Sequence, residues 1–152
     1  MPDHDVLAYL PYKSSFRFID HITHLDENGV TGDYTLRPDA FFYEDHFPGN
    51  PVTPGVILTE IMAQIGLVVL GIYLMRSVYG GTAPAADAFP LLSDTNVSFS
   101  KIVLPGEKVI VTSRKEYFRF GKLKCQVELR DGSGEMVAKG TFAGMIRSAV
   151  KK

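Results

Sequence analysis

Residues 55–75 read GVILTEIMAQIGLVVLGIYLM, an apolar run broken by one charged side chain, Glu60, and one amide, Gln64. Such a segment has to be hidden, and hiding it dictates much of the remaining structure. Pro54 stands where a first helical turn tolerates proline, with Thr53 before it as a candidate N-cap. Gly80-Gly81 and Pro84 end the pattern, so a helix is expected to run to about Ser77. A bilayer crossing takes about 20 predominantly apolar residues, and Glu60 and Gln64 leave only residues 65–75 unbroken. The expectation is a helix buried on all sides within a soluble domain, with no membrane span.

The segments on either side read mostly as strands. Residues 6–10 suit a short helical turn. Residues 16–25 and 30–36 form a predicted hairpin, closed by Asp26-Glu27-Asn28-Gly29, in which Asn and Gly both tolerate positive φ. Residues 37–53 are an irregular loop carrying Phe41, Phe42, Tyr43 and Phe47, and residues 80–87 a connector. Strands are then expected over 89–99, 108–120, 122–130 and 136–147, with turns at Pro105-Gly106, Phe120-Gly121 and residues 131–134. Leu123, Cys125, Val127 and Leu129 alternate with Lys122, Lys124, Gln126, Glu128 and Arg130, the period of a strand with one wet face. Gly140 and Gly144, sharing a face with Ala138, Phe142 and Ile146, would let a bulky element approach closely. The pattern predicts an α+β fold, a single domain over 1–152, in which an antiparallel sheet of about six strands wraps around a long central helix.

Composition narrows the function classes. The 152 residues carry a formal charge of −1, which gives no electrostatic footprint for nucleic acid. A hydrophobic fraction of 45% suffices for a core without staples. The single Cys125 excludes an intrachain disulfide, and His4, His21 and His24 have no metal-ligand spacing, so no metal or cofactor is expected. The opening MPDHD has neither the basic segment nor the apolar run of a secretory signal, which favours a cytoplasmic location.

Glu60 carries the chemistry. A carboxylate one turn into an apolar helix is costly when charged and unpaired. Gln64, four residues on, shares its face and can hydrogen-bond it. Desolvation raises a carboxyl pKa and keeps Glu60 a proton donor near neutral pH. The helix start presents unpaired N–H groups, notably that of Gly55, where a carbonyl oxygen can sit. His46, in the proline-fixed loop just before, is the natural general base. An acid, a base and an oxyanion donor suffice to remove a proton alpha to a carbonyl.

These residues, His46-Phe47-Pro48-Gly49-Asn50-Pro51, Pro54-Gly55-Val56 and Glu60 with Met62-Ala63-Gln64, resemble the signature of the (3R)-hydroxyacyl-acyl-carrier-protein dehydratases. Leu10-Pro11-Tyr12, residues 16–20 and Phe99 with Val103-Leu104-Pro105-Gly106-Glu107 extend the likeness over nearly the whole chain. The resemblance implies a hot-dog fold and dehydration of 3-hydroxyacyl thioesters on acyl carrier protein, in fatty acid synthesis or aryl polyene or polyketide-type synthesis. His46 and Glu60 would be catalytic, with Gly55, Phe47 and Gln64 binding substrate. It implies homodimers whose active sites each take histidine from one subunit and carboxylate from the other, and leaves open their assembly into hexamers. Glutamate at position 60, where the dehydratase-isomerase branch carries aspartate, argues for dehydration without isomerisation.

Some positions depart from the family pattern. Thr53 replaces a usual methionine and Ile61 a common alanine, Tyr12-Lys13-Ser14-Ser15 replaces a more basic, histidine-bearing opening, and Arg17 enters an apolar strand. Two other functions suit the same fold: an acyl thioesterase and a non-catalytic acyl-binding subunit. Lys101, Lys108, Lys122 and Lys124 suit either carrier steering or ordinary solvated strand faces.

Overall fold

The computed structural model describes residues 6–78 and 88–148; the connector at 80–87 and His4 lie outside the described residues. Six strands, β1 (His21–Asp26), β2 (Gly29–Thr35), β3 (Ala88–Phe99), β4 (Lys108–Arg119), β5 (Lys122–Asp131) and β6 (Met136–Ser148), form one antiparallel sheet in the order β1-β2-β4-β5-β6-β3. It curls around a continuous helix made of α1 (Gly55–Ala63), a π-helical turn (Gln64–Val68), α2 (Val69–Tyr73) and a second π-helical turn (Leu74–Val78).

The expected core forms. Leu123, Cys125, Val127 and Leu129 of β5 are buried and face Ile57, Leu58, Ile61, Met62, Ile65, Leu70 and Leu74 of the helix within one cluster. Each large apolar side chain so buried contributes roughly 1.5–3 kcal/mol, which together far outweighs the cost of one half-buried carboxyl on the same helix. Length and composition alone would let residues Gly55–Arg76 cross a membrane, but here they line the inside of the sheet. The helix is not covered on every side, however. Val56 is exposed, and Val68, Gly71, Ile72 and Met75 are half-buried along one flank. At the π-helical turn, where the usual ladder is interrupted, the buried Ser113 hydroxyl donates to the Gly66 carbonyl at 2.7 Å.

Three local expectations are corrected. The first strand begins at His21 rather than residue 16, and Ser14–Phe16 is a 3-10 turn. The Phe16 carbonyl and Phe18 N–H pair with the Gln64 side chain, so a helix residue replaces the strand partner. The Asp26–Gly29 turn uses no positive φ. It is held instead by Asp26, whose carboxylate accepts from the N–H groups of Asn28 at 2.8 Å and Gly29 at 3.0 Å. Gly29 is required for another reason: a Cβ there would lie 2.2 Å from the Ser113 carbonyl oxygen on β4. Finally, Pro54 and not Thr53 is the N-cap, with no side-chain cap bond; the Thr53 hydroxyl is instead 2.5 Å from that of Tyr43.

The small residues of β6 act in two ways. A Cβ on Gly144 would lie 2.8 Å from Leu67 of the helix, the close approach the sequence pattern suggests. A Cβ on Gly140 would instead meet the Asn96 carbonyl oxygen at 2.1 Å, on the neighbouring strand β3. Since backbone cannot swing aside as a side chain can, Gly140→Ala is expected to lower stability by about 1–3 kcal/mol. A urea titration showing an unchanged midpoint would refute this.

Candidate active site

The loop preceding the helix is tied down at both ends. The Tyr43 hydroxyl meets Thr53, the Thr53 N–H donates to the Val103 carbonyl at 2.8 Å, and the Val52 N–H donates to the His46 carbonyl at 2.9 Å. These bonds hold His46 in place. Its Nδ1 lies 3.1 Å from the Val52 carbonyl oxygen. A carbonyl can only accept, so Nδ1 carries the hydrogen and Nε2 of the neutral ring keeps its lone pair. The His46 imidazole is half-buried and stacks on the Phe47 ring, centroids 4.1 Å apart and planes at 24°. The peptide joining the two residues is cis.

Glu60 sits one turn into α1 and is half-buried. The Gln64 Nε2 donates to Glu60 Oε2 at 2.9 Å and to the Phe16 carbonyl at 2.9 Å, while Gln64 Oε1 accepts from the Phe18 N–H at 2.8 Å. Both amide hydrogens are thereby engaged and the side chain is wholly buried. Gln64 has none left to offer a ligand, and its influence on one passes through Glu60. Burial pushes the Glu60 carboxyl above its ordinary range, and the Gln64 hydrogen bond offsets only part of that rise.

Glu60 opens onto a cavity of about 540 Å³ running along the half-buried flank of the helix. Its wall includes Ala63, Leu67, Ile72 and Met75 from the helix, with Leu91 of β3 and Leu123 of β5. Predominantly apolar walls and one convergent acid suit a hydrocarbon carrying a reactive polar end. His46 is not among the lining residues, so a single chain does not bring acid and base into the same cavity. Gly55, exposed at the first helical position where the helix supplies no acceptor for its N–H, lies under the Phe99 ring, with 3.6 Å from an added Cβ to the nearest ring atom.

Several wall residues escaped the sequence reading. Leu67, Gly71 and Met75 stand at the four-residue spacing that marks one helix face, a visible signal, but nothing in the sequence marks that face as hollow. Tyr12 belongs to the opening segment that both carries and departs from the family likeness, with no site role expected of it; it lines the cavity, and burial, with the Glu60 carboxylate when ionised, holds its phenol far above its usual range. Of the four lysines weighed for carrier steering, Lys101 pairs with Asp131 and Glu135, Lys108 with Asp33 at 3.7 Å, Lys122 with Asp94 at 3.6 Å and Lys124 with Glu116 at 3.6 Å. The solvated-face reading accounts for all four. His21 and His24 likewise hydrogen-bond Asp33 and Asp26.

A single helix enclosed by a curled antiparallel sheet defines a hot-dog protein. The dehydratase heterocomplex ApeI:P from Xenorhabdus doucetiae superposes with a TM-score of 0.76 at 15% identity, covering 98% of this chain and 93% of that one. A thioesterase from Streptococcus pneumoniae shares the fold with a TM-score of 0.61 at 12% identity, covering 84% and 85%. The model of the FabA-like domain matches residues 10–132. The 3-hydroxyacyl-[acyl-carrier-protein] dehydratase FabZ of Caldicellulosiruptor saccharolyticus is 31% identical over 147 residues, 93% of this chain and 96% of its own. FabZ of Lactobacillus helveticus is 29% identical over 132 residues, 84% and 82% of the two chains. The chain belongs to the FabA-like family of 3-hydroxyacyl-[acyl-carrier-protein] dehydratases.

The raised Glu60 carboxyl has a consequence for stability. Folding favours the protonated form, so its contribution is complete below the unfolded-state pKa and is lost as pH rises through the folded-state value. Glu60→Gln, which cannot ionise, is therefore expected to gain stability relative to the parent between pH 4 and 7. Urea titrations of both proteins at the two pH values measure this; a constant difference would refute it.

Proposed function

We propose that the chain dehydrates (3R)-3-hydroxyacyl thioesters on acyl carrier protein to trans-2-enoyl thioesters and water. The observation that carries this reading is a half-buried Glu60 at the head of an apolar cavity, its carboxyl pushed above its ordinary range by desolvation. His46 Nε2 takes the alpha proton; its lone pair is free because Nδ1–H is committed to Val52. The electron pair released from the Cα–H bond moves toward the thioester, whose oxygen the Gly55 N–H holds as charge develops, an effect worth about 3 kcal/mol in comparable sites. Glu60 gives its proton to the beta-hydroxyl, the Cβ–O bond breaks, and water leaves as the double bond forms. The acyl tail lies along the helix beside Leu67 and Met75, and Phe47 braces His46. Gln64 positions the acid. A cytoplasmic location goes with this reading.

The site is completed by a second copy of the chain. Among the described residues β3 pairs only with β6, leaving its other edge unpaired, and Phe89, Leu91, Leu92 and Phe99 along it are each 41–50% exposed. A long apolar edge of this kind is a hazard unless covered. A copy paired along β3 meets Phe99 over Gly55 and so reaches the helix start, where its His46 loop faces Glu60. The separation of His46 from the Glu60 cavity within one chain supports this arrangement.

Incubation with a 3-hydroxyacyl thioester should raise enoyl absorbance without releasing thiol; thiol release would indicate hydrolysis instead. His46→Ala and Glu60→Gln are each expected to lower kcat by about 10²–10⁴ while the fold is retained. Near-parental turnover in either variant would defeat the assignment. Mixed after subunit exchange, the two inactive variants should recover roughly a quarter of parental activity, because half the dimers are hybrids with one intact site each. No recovery would exclude a shared site.

A further inference from the structure

The cavity is polar at both ends and apolar between. Glu60 and Tyr12 stand at one end; at the other, Tyr9 and Arg76 line the wall, with the guanidinium carbon 3.6 Å from the centroid of the Tyr9 ring. Arg76 stands sixteen residues beyond Glu60 along the helix, two stretches of which are π-helical. Ala63, Leu67, Gly71 and Ile72 face the cavity along the way without a charged group. We propose that the Tyr9–Arg76 pair is a specificity-determining plug that sets the longest acyl chain the site accommodates with profit. This inference rests on the dehydratase reading above.

The physical basis is a change in what each added methylene meets. Along the apolar stretch, burying one more methylene strengthens binding about fourfold. At the far end it meets a cation already held on an aromatic face. Entering there means pulling the guanidinium off the Tyr9 ring, a contact that gains strength where water is partly excluded. Hydrocarbon offers the guanidinium nothing in exchange, so the gain per methylene stops. Tyr9 and Arg76 are both only partly covered, which leaves the pair at the outer rim and not in the middle of the path. The wall residues before the pair set affinity, and the pair sets the limit.

The test measures kcat and KM for parent, Arg76→Met and Tyr9→Ala on saturated 3-hydroxyacyl pantetheine thioesters lengthened two carbons at a time. For the parent, kcat/KM should climb about fifteenfold per step through KM and then level off. Methionine keeps the unbranched stem without the charge, so in Arg76→Met the climb should continue, raising the ratio of longest to shortest substrate by tenfold or more. Tyr9→Ala, which frees the guanidinium, should move the break in the same direction and guards against a folding defect in the other variant. A break at the same length in all three proteins, or a parent profile with no break, overturns the plug. A parent that dehydrates none of the panel overturns the reaction assignment instead, so the two failures are distinguishable.

Discussion

One buried amide ties this molecule together. Gln64 joins the central helix to the chain entering β1 by binding the Phe16 carbonyl and the Phe18 N–H, and with its remaining hydrogen it steadies Glu60. The arrangement substitutes a side chain for a strand partner, pairing the buried Phe18 N–H, which would cost about 1–3 kcal/mol if stranded, and the partly buried Phe16 carbonyl. Because fold and acid depend on the same amide, the orientation of Glu60 is fixed by interactions too costly to break. Burial raises the proton affinity of the carboxyl while the amide limits how far it rises. Glu60 is thus both desolvated and hydrogen-bonded.

His46, the proposed base, is held by different means. His46 owes its tautomer to Val52 and its place to the anchoring of Thr53 on Val103, all of them backbone contacts within an irregular loop. Acid and base thus belong to two rigid units that share no hydrogen bond, and each can be formed correctly in a chain where they do not meet. That independence suits a site assembled between copies, since neither half needs the other in order to fold. The exposed apolar edge of β3 supplies the complementary reason for the dimer proposed above.

Much of this was legible in the sequence because it rests on periodicity and local chemistry. The alternation in β5, the helix span and the Glu60–Gln64 pairing follow from fixed spacings of two and four residues. The failures occur where a distant group wins over a local preference. Residues 16–20 have the apolar character of a strand, but Gln64, more than forty positions away, takes their backbone groups. Asn28-Gly29 looks like a turn built on positive φ, yet the Asp26 carboxylate holds a different turn and Gly29 is needed for the approach of β4. Thr53 has the chemistry of a cap but is engaged by Tyr43. The cavity was least legible, because an apolar face against core and an apolar face against a void read identically.

The fold alone does not choose between eliminating water and hydrolysing a thioester. The surroundings of the helix carboxyl bear on that choice. To activate water for attack on a thioester, a carboxyl must be ionised; to expel a hydroxide-like leaving group it must hold a proton at working pH. A solvated glutamate at the helix start would favour the first role. Here the apolar wall desolvates Glu60, and among the described residues the hydrogen bond to its carboxyl comes from a neutral amide, with no positive charge to draw the proton off. The same wall that lines the cavity therefore also raises the proton affinity of Glu60, so that in the proposed reaction substrate preference and reaction type have a common physical origin in the hollow flank of one helix.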